Sequence, residues 1–306
     1  HYHITQIDYL VINDMTKLGN LTVGRKNKIT VMGILNVSPE SFYKNSIKLT
    51  KSQIVNHVIQ LEENGANIID VGGMSTAPYL KTIVSEKTES DRITKTIKII
   101  QNLSNIPISI DTFRASVAKD ALELGVDVIN DISGLKHDKE MPKIIEKYNP
   151  SLILCAYSKK LVNGNLVLET KKLLNESIKI AQKCHISKDK IVVDPAIGFF
   201  RRSSDVKNKL PYTRINSDWA KRDIEIIKNL KSLKTTFPVL VSASNKSFLG
   251  KLLENDYPTD RNTGTILAEV LSIINGASII RTHNPKITLD VIKLAKLVMA
   301  KSKKGL

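Results

Sequence analysis

The chain has 306 residues, with 46 Lys and Arg against 30 Asp and Glu, giving a formal charge of +16 and an isoelectric point near 9.6. With 42% hydrophobic and 25% charged residues, 14 Gly and 10 Pro, it is neither fibrous nor disordered, and it is long enough to bury a substantial core. Without 18 consecutive apolar residues it offers no membrane span; scattered Lys with only 5% aromatics argues against a nucleic-acid groove, and the positive balance favours an anionic small ligand.

In chain order, HYHITQIDYL has neither the basic segment nor the apolar run of a secretory signal, and a start on His1 rather than Met suggests a trimmed terminus. Residues 1–28 read as a short β-structured extension lying over the bottom of the fold. Beyond it, short β-branched runs alternate with longer amphipathic stretches. Strands are predicted at 29–36, 67–73, 107–112, 126–132, 151–157, 191–197, 238–244 and 278–283. Helices are predicted near 51–64, 86–104, 114–124, 139–148, 168–185, 217–233, 261–275 and 287–301. Gly65, Gly125 and Gly276 each stand between a helix and the next strand, where a helix end asks for positive φ. Segment 198–216 is polar, basic and aperiodic, and reads as a long loop. Cys155 and Cys184 form no C-x-x-C pair and no disulfide framework, which points to a reducing cytoplasm. Eight alternating units predict an α/β fold, a (β/α)8 TIM barrel forming one domain over 29–306, with an open doubly wound sheet as the alternative.

The strands end in polar residues: Asn36, Asp70, Asp111, Asn130 with Asp131, Asp194, Ser244 with Lys246, and Arg281 with His283. One such residue reads equally well as a helix cap; six strand ends together read as a site at the C-terminal mouth of the barrel. Asp111, Asn130 and Asp194 are the types that read the donor-rich edge of a nitrogen heterocycle, while Lys246, Arg281 and His283 are cations suited to phosphate or diphosphate. A heterocycle with a phosphorylated substituent satisfies both halves. No nucleophile has a base close in sequence, so direct displacement is favoured over a covalent intermediate. Metal ligation is modest: Asn36 offers one oxygen to a Mg²⁺ held mostly by water and substrate phosphates.

With these residues in place, seven ordered motifs resemble those of dihydropteroate synthases, the pterin-binding barrels of folate biosynthesis. They are MGILNVSPESF at 32–42, IIDVGGMSTAP at 68–78, ISIDT at 108–112, VINDISG at 128–134, VVDPAIGF at 192–199, SNKSFLG at 244–250 and IIRTH at 279–283. The resemblance implies a transferase that joins a dihydropterin-6-ylmethyl group to an arylamine, normally 4-aminobenzoate, with release of diphosphate. It places the pterin on Asp111, Asn130, Asp194 and Lys246, and the diphosphate on Asn36, Ser247, Arg281 and His283, with Mg²⁺ on Asn36. Lys246, Arg281 and His283 take the catalytic role, and Ser75, Thr76 and Phe199 line the arylamine side. Loops 37–50 and 74–86 are expected to close over the site, and the family commonly forms homodimers.

The chain departs from the common bacterial pattern at Tyr43-Lys44-Asn45-Ser46, Ser75-Thr76-Ala77-Pro78, Ser244-Asn245-Lys246 and Phe200-Arg201-Arg202. The motifs SPESFYKNS and MSTAPYLKT look more like archaeal members, some of which use a ribosylated, phosphorylated aminobenzene acceptor in methanopterin-type pathways. Lys44, Lys81, Arg201 and Arg202 are cations suited to that larger acceptor. A pterin-dependent methyltransferase is a further alternative, opposed by the diphosphate-type residues Ser247, Arg281 and His283. A non-catalytic pterin-binding module is another, motivated by the arginines lost from Ser-Thr-Ala-Pro and Ser-Asn-Lys.

Overall fold

The computed structural model describes residues 15–24, 28–38, 50–76, 83–206, 209–233, 236–254 and 261–299. A hairpin of β1 (Thr16–Leu18) and β2 (Leu21–Val23) precedes six barrel strands: β3 (Thr30–Asn36), β4 (Ile68–Gly72), β5 (Ile108–Asp111), β6 (Val128–Asp131), β7 (Ser151–Cys155) and β8 (Ile191–Asp194). After a two-residue ladder of β9 (Phe200–Arg201) and β10 (Thr213–Arg214), β11 (Leu240–Val241) and β12 (Ile279–Thr282) complete the sheet. Its order is β11-β12-β3-β4-β5-β6-β7-β8, all eight strands parallel. A parallel bridge from Val193 to Val239, with the Val193 amide donating to the Pro238 carbonyl at 3.0 Å, brings the ends together. The result is the TIM-like barrel expected.

The helices follow the same logic. They are α1 (Lys51–Glu63), α2 (Glu86–Gln101), α3 (Ala115–Glu123), α4 (Met141–Tyr148), α5 (Leu166–Lys183), α6 (Trp219–Lys228), α7 (Ser247–Leu253), α8 (Asn262–Ile274) and α9 (Pro285–Met299). Starts are chemically marked: Thr50 closes a capping box with Gln53, and the Asn165 and Asp218 side chains accept from the first-turn amides of α5 and α6. At Gly65 the chain turns with φ +88°, and a Cβ would stand 2.4 Å from Leu289 Cδ1 on α9, so both conformation and space demand glycine. Helix α7 was not among the expected elements, because seven residues give too little periodicity to show.

The core divides in two. Outward-facing strand residues pack beneath the helices. A separate interior cluster comprises Met32, Ile68, Val128, Ile153, Val192, Leu240 and Ile279, closed from below by Leu18 and Val23 of the hairpin. The hairpin is tied to the strand starts: Thr16 Oγ1 donates to the Ile191 carbonyl at 3.1 Å, and Ser151 Oγ donates to the Lys17 carbonyl at 2.7 Å. It is the described part of the expected extension, and it lies at the barrel bottom; residues 1–14 and 25–27 lie outside the described residues.

Segment 198–216 differs from a solvated loop. It carries the β9–β10 ladder, a 3-10 turn at Ser203–Asp205, and buried Phe200, Arg201 and Tyr212. Its apolar residues are spaced for neither helix nor strand, so periodicity did not reveal them.

Candidate active site

Side chains alternate along a strand, so residues two positions above the interior apolar layer also face inward. From Ile68, Val128, Ile153, Val192 and Ile279 that step reaches Asp70, Asn130, Cys155, Asp194 and Arg281. The barrel thus changes from hydrocarbon to polar within one layer, toward its C-terminal mouth. Strand register aligns Asn36, Gly72, Asp111 and Asn130 side by side across β3 to β6. Gly72 matters here because a Cβ would approach Asn36 Oδ1 to 3.1 Å.

Arg281 anchors the polar layer. Its Nε donates to Asp70 Oδ2 at 2.6 Å and its Nη2 to Asp111 Oδ2 at 2.7 Å, while Asn130 Nδ2 donates to the same Asp70 oxygen at 3.1 Å. Asp70 is fully buried, and two carboxylates around one guanidinium hold the arginine cation firmly above its ordinary pKa despite burial. Asp70 is the residue that sequence reasoning underrated. It appeared only as a strand end, although an acid inside the buried run IIDVGG was the available signal.

Asp194 accepts from the Ala196 amide at 2.7 Å, and burial pushes its carboxyl above the usual range, opposed by Lys246 and Arg281. Burial likewise pushes Asp111 up to about 7, Arg281 pulling it down and Asp70 pushing it further up. Lys246 brings its Nζ to 4.3 Å from the Phe199 ring centroid and is pushed down to about 8, chiefly by burial and then by Arg281. The acids and cations expected on opposite sides of a single mouth therefore sense one another there.

His283 differs from its expected role as a cation. Its Nδ1 lies 2.9 Å from Ser244 Oγ, and burial together with Arg281 and Lys246 pushes it down to about 3. It stands in the site as a neutral imidazole that offers hydrogen bonds instead of charge.

On the remaining side, Tyr212 stacks on Phe199 at 5.8 Å between centroids, and its hydroxyl donates to the Thr76 carbonyl. This joins the start of the loop after β4, with Ser75 and Thr76, to Phe199 and Lys246. Tyr212 was not anticipated, since it lies in the aperiodic segment. Ser247 opens α7 directly after Lys246 and accepts from Arg201 Nη2 at 2.7 Å. Arg202 points elsewhere, its Nε donating to the Ser217 carbonyl at 3.1 Å. Lys44 and Lys81 lie outside the described residues, as do 39–49 of the first loop and 77–82 of the second.

Two buried acceptors, Asp70 Oδ1 and Asn130 Oδ1, have no protein donor. Buried acceptors without donors are costly, so this layer suits a ligand rich in N–H groups. Arg281 of that layer, together with Lys246 and the Ser247 hydroxyl, suits an anion.

A family described as pterin binding enzymes matches residues 32–283. The chain is 34% identical over 283 residues to a dihydropteroate synthase of Bacillus subtilis, covering 92% of this chain and 91% of the relative. Its fold is similar to a dihydropteroate synthase of Coxiella burnetii in complex with pteroic acid (TM-score 0.77, 31% identity, 92% of this chain and 96% of that one). It is also similar to one of Xanthomonas albilineans with 4-aminobenzoic acid (TM-score 0.78, 26% identity, 92% and 96%). These relatives are bacterial and give the archaeal likeness of the two loops no support. Motifs, barrel, polar layer and relatives agree, and the chain belongs to the dihydropteroate synthases of the pterin-binding enzyme family.

Proposed function

We propose that the mouth of this barrel binds 6-hydroxymethyl-7,8-dihydropterin diphosphate and 4-aminobenzoate and joins them, releasing diphosphate, as the dihydropteroate synthase step of folate biosynthesis. One observation carries the reading: the Asp70–Arg281–Asp111 ion-pair chain with Asn130, which sets buried acceptors and a fixed cation in the same layer. Asp194, Asn130 and Asp111 take the pterin N–H groups, and Lys246 lies along the ring edge. Asn36, Ser247, Arg281 and His283 take the diphosphate. Ser75, Thr76 and Phe199 border the arylamine, and Tyr212 holds that border in place.

The step is a displacement at the methylene carbon. As its bond to the diphosphate oxygen lengthens, charge grows on the leaving oxygens, where Arg281, fixed by two carboxylates, needs no reorganisation to meet it. The dihydropterin nitrogens spread the positive charge left behind, with Asp194 and Asp111 close enough to stabilise it. The arylamine nitrogen forms the new bond and then sheds a proton. Its lone pair is nucleophilic at neutral pH, so alignment matters more than a general base.

The donor set fits Mg²⁺ in a limited way. Asn36 presents an amide oxygen beside Gly72, and among the described residues no group of three or more His, Cys, Asp or Glu is placed to hold a metal ion. That suits an ion bound mainly by water and diphosphate, for which Asn36 would supply one ligand. Such an ion would neutralise charge on the departing group.

A homodimer agrees with the neighbouring outer faces of α8 and α9, where Leu267, Leu271, Leu294, Leu297 and Val298 are exposed. Sedimentation of Leu267→Glu is expected to show a lighter species than the parent protein at equal concentration. No helix among the described residues is long and apolar enough to cross a membrane, and unpaired, buried Cys155 and Cys184 agree with a reducing compartment such as the cytoplasm.

The decisive assay follows diphosphate release with the pterin diphosphate, with and without 4-aminobenzoate. Amine-dependent release is expected, and Asp194→Asn should lower kcat/KM by roughly 10- to 100-fold, the worth of a charge-assisted hydrogen bond. Pterin binding without release would overturn the reading in favour of a binding module.

A further inference from the structure

The segment Gly198-Phe199-Phe200-Arg201 leaves β8 through a turn at Gly198, whose amide donates to Asp223 Oδ2 at 2.9 Å. Phe200 and Arg201 then pair with Thr213 and Arg214, and the Ile215 amide closes on the Arg201 carbonyl at 3.0 Å. The backbone of Arg201 is fixed before its side chain is considered. That side chain turns inward and is only 1% exposed. Its guanidinium lies 3.8 Å from the Trp219 ring centroid, Nη1 donates to the Phe200 carbonyl at 2.8 Å, and Nη2 donates to Ser247 Oγ at 2.7 Å.

Burying a guanidinium carries a desolvation cost of several kcal/mol that only a close partner offsets. Asp223 offsets part of it from 3.9 Å, its Oδ2 facing Arg201 while its Oδ1 accepts from Arg222 at 2.9 Å. Packing alone would be served as well by an apolar side chain of this size. What such a side chain would not do is donate to the Phe200 carbonyl and, toward the site, to the Ser247 hydroxyl. A serine hydroxyl has a single hydrogen, and its oxygen here is occupied by a charged donor. The hydrogen must seek an acceptor, the adjacent Lys246 side chain accepts nothing, and the positive charge behind the oxygen strengthens it as a donor.

We propose that Arg201 is a positioning residue that fixes the Ser247 hydroxyl as a donor to an anionic oxygen of bound substrate. That oxygen belongs to the diphosphate or to the arylamine carboxylate. The proposal rests on the substrate reading above. It departs from the expectation of Arg201 as a cation reaching the acceptor directly, because its guanidinium is enclosed by Trp219, Phe200 and Ser247.

The test is a double-mutant cycle of Arg201→Met, Ser247→Ala and both, with KM and kcat measured separately for the pterin diphosphate and for 4-aminobenzoate. Arg201→Met is expected to raise one KM about 10-fold, and the substrate affected identifies the anion, phosphoryl or carboxylate. Arg201→Lys should recover part of the loss. In the Ser247→Ala background, Arg201→Met should cost nothing further. Multiplied losses, or neither KM changing, overturn the proposal. If Arg201→Met fails to fold, Arg201→Lys with and without Ser247→Ala supplies the same cycle under the same criteria. A parent protein showing no amine-dependent diphosphate release defeats the substrate reading itself, which separates the two failures.

Discussion

Lys246 is a cation that burial has made easy to lose. It sits against Phe199 with Asp194 and Asp111 as its favourable neighbours and Arg281 as its unfavourable one, and its ammonium is held only to about 8. Asp111 gains its charge as pH rises through about 7. The free enzyme therefore has both charges in place only over a narrow interval. We expect kcat/KM for the pterin diphosphate to rise through about pH 7, pass a maximum, and fall again through about pH 8. In Lys246→Arg the alkaline fall should vanish, because a guanidinium does not titrate in this range. A descending limb unchanged in that variant would assign the fall to another group. Arg281 is less useful as a probe, since its removal strands buried Asp70 without a counter-charge and unfolding would obscure catalysis.

Helices α8 and α9 meet through a polar contact inside an apolar seam. Glu269 of α8 is almost fully buried, accepts from Thr288 Oγ1 of α9 at 2.9 Å, and leaves Oε1 unpaired. Burial pushes its carboxyl up to about 7 from an ordinary 4.5. The folded state thus holds a proton that the unfolded chain has released, so the stabilisation is complete below about 4.5 and is lost as pH rises through about 7. Such a difference amounts to about 3 kcal/mol. Urea titrations across this interval should show Glu269→Gln losing less stability than the parent, and exceeding it at pH 8. Equal slopes would show that Glu269 titrates normally. The elements themselves were largely readable, because β-branched runs with amphipathic helices between them repeat at a regular interval. Helix α7 and the β9–β10 ladder were not, being too short for a period to form. The inward turn of Arg201 was invisible for a related reason: its Trp219 and Ser247 partners come from elements distant in the chain. Asp111, Asn130, Asp194, Lys246 and Arg281 stand out in the sequence because six strand ends turn polar together, where any one alone reads equally well as a helix cap, whereas the neutrality of His283 depends first on its burial and then on the nearby Arg281 and Lys246, and burial exists only in the folded barrel.

Across the whole barrel, stability and chemistry occupy different heights. The hairpin closes the bottom, the apolar layer from Met32 to Ile279 fills the middle, and the ion-pair layer of Asp70, Arg281 and Asp111 lies above it. Leu18 is fully buried against that apolar layer and reaches nothing of the site. Removing its branched end leaves a void that rigid strands cannot collapse to fill, so Leu18→Ala should cost about 2–5 kcal/mol. The urea midpoint and Tm should fall accordingly. Both KM values should remain unchanged below the new unfolding range, because the strand register that aligns Asn36, Gly72, Asp111 and Asn130 is set by main-chain hydrogen bonds above the void. A raised KM in the folded variant would mean that the bottom layer sets the spacing of the mouth, and that the two heights are mechanically coupled.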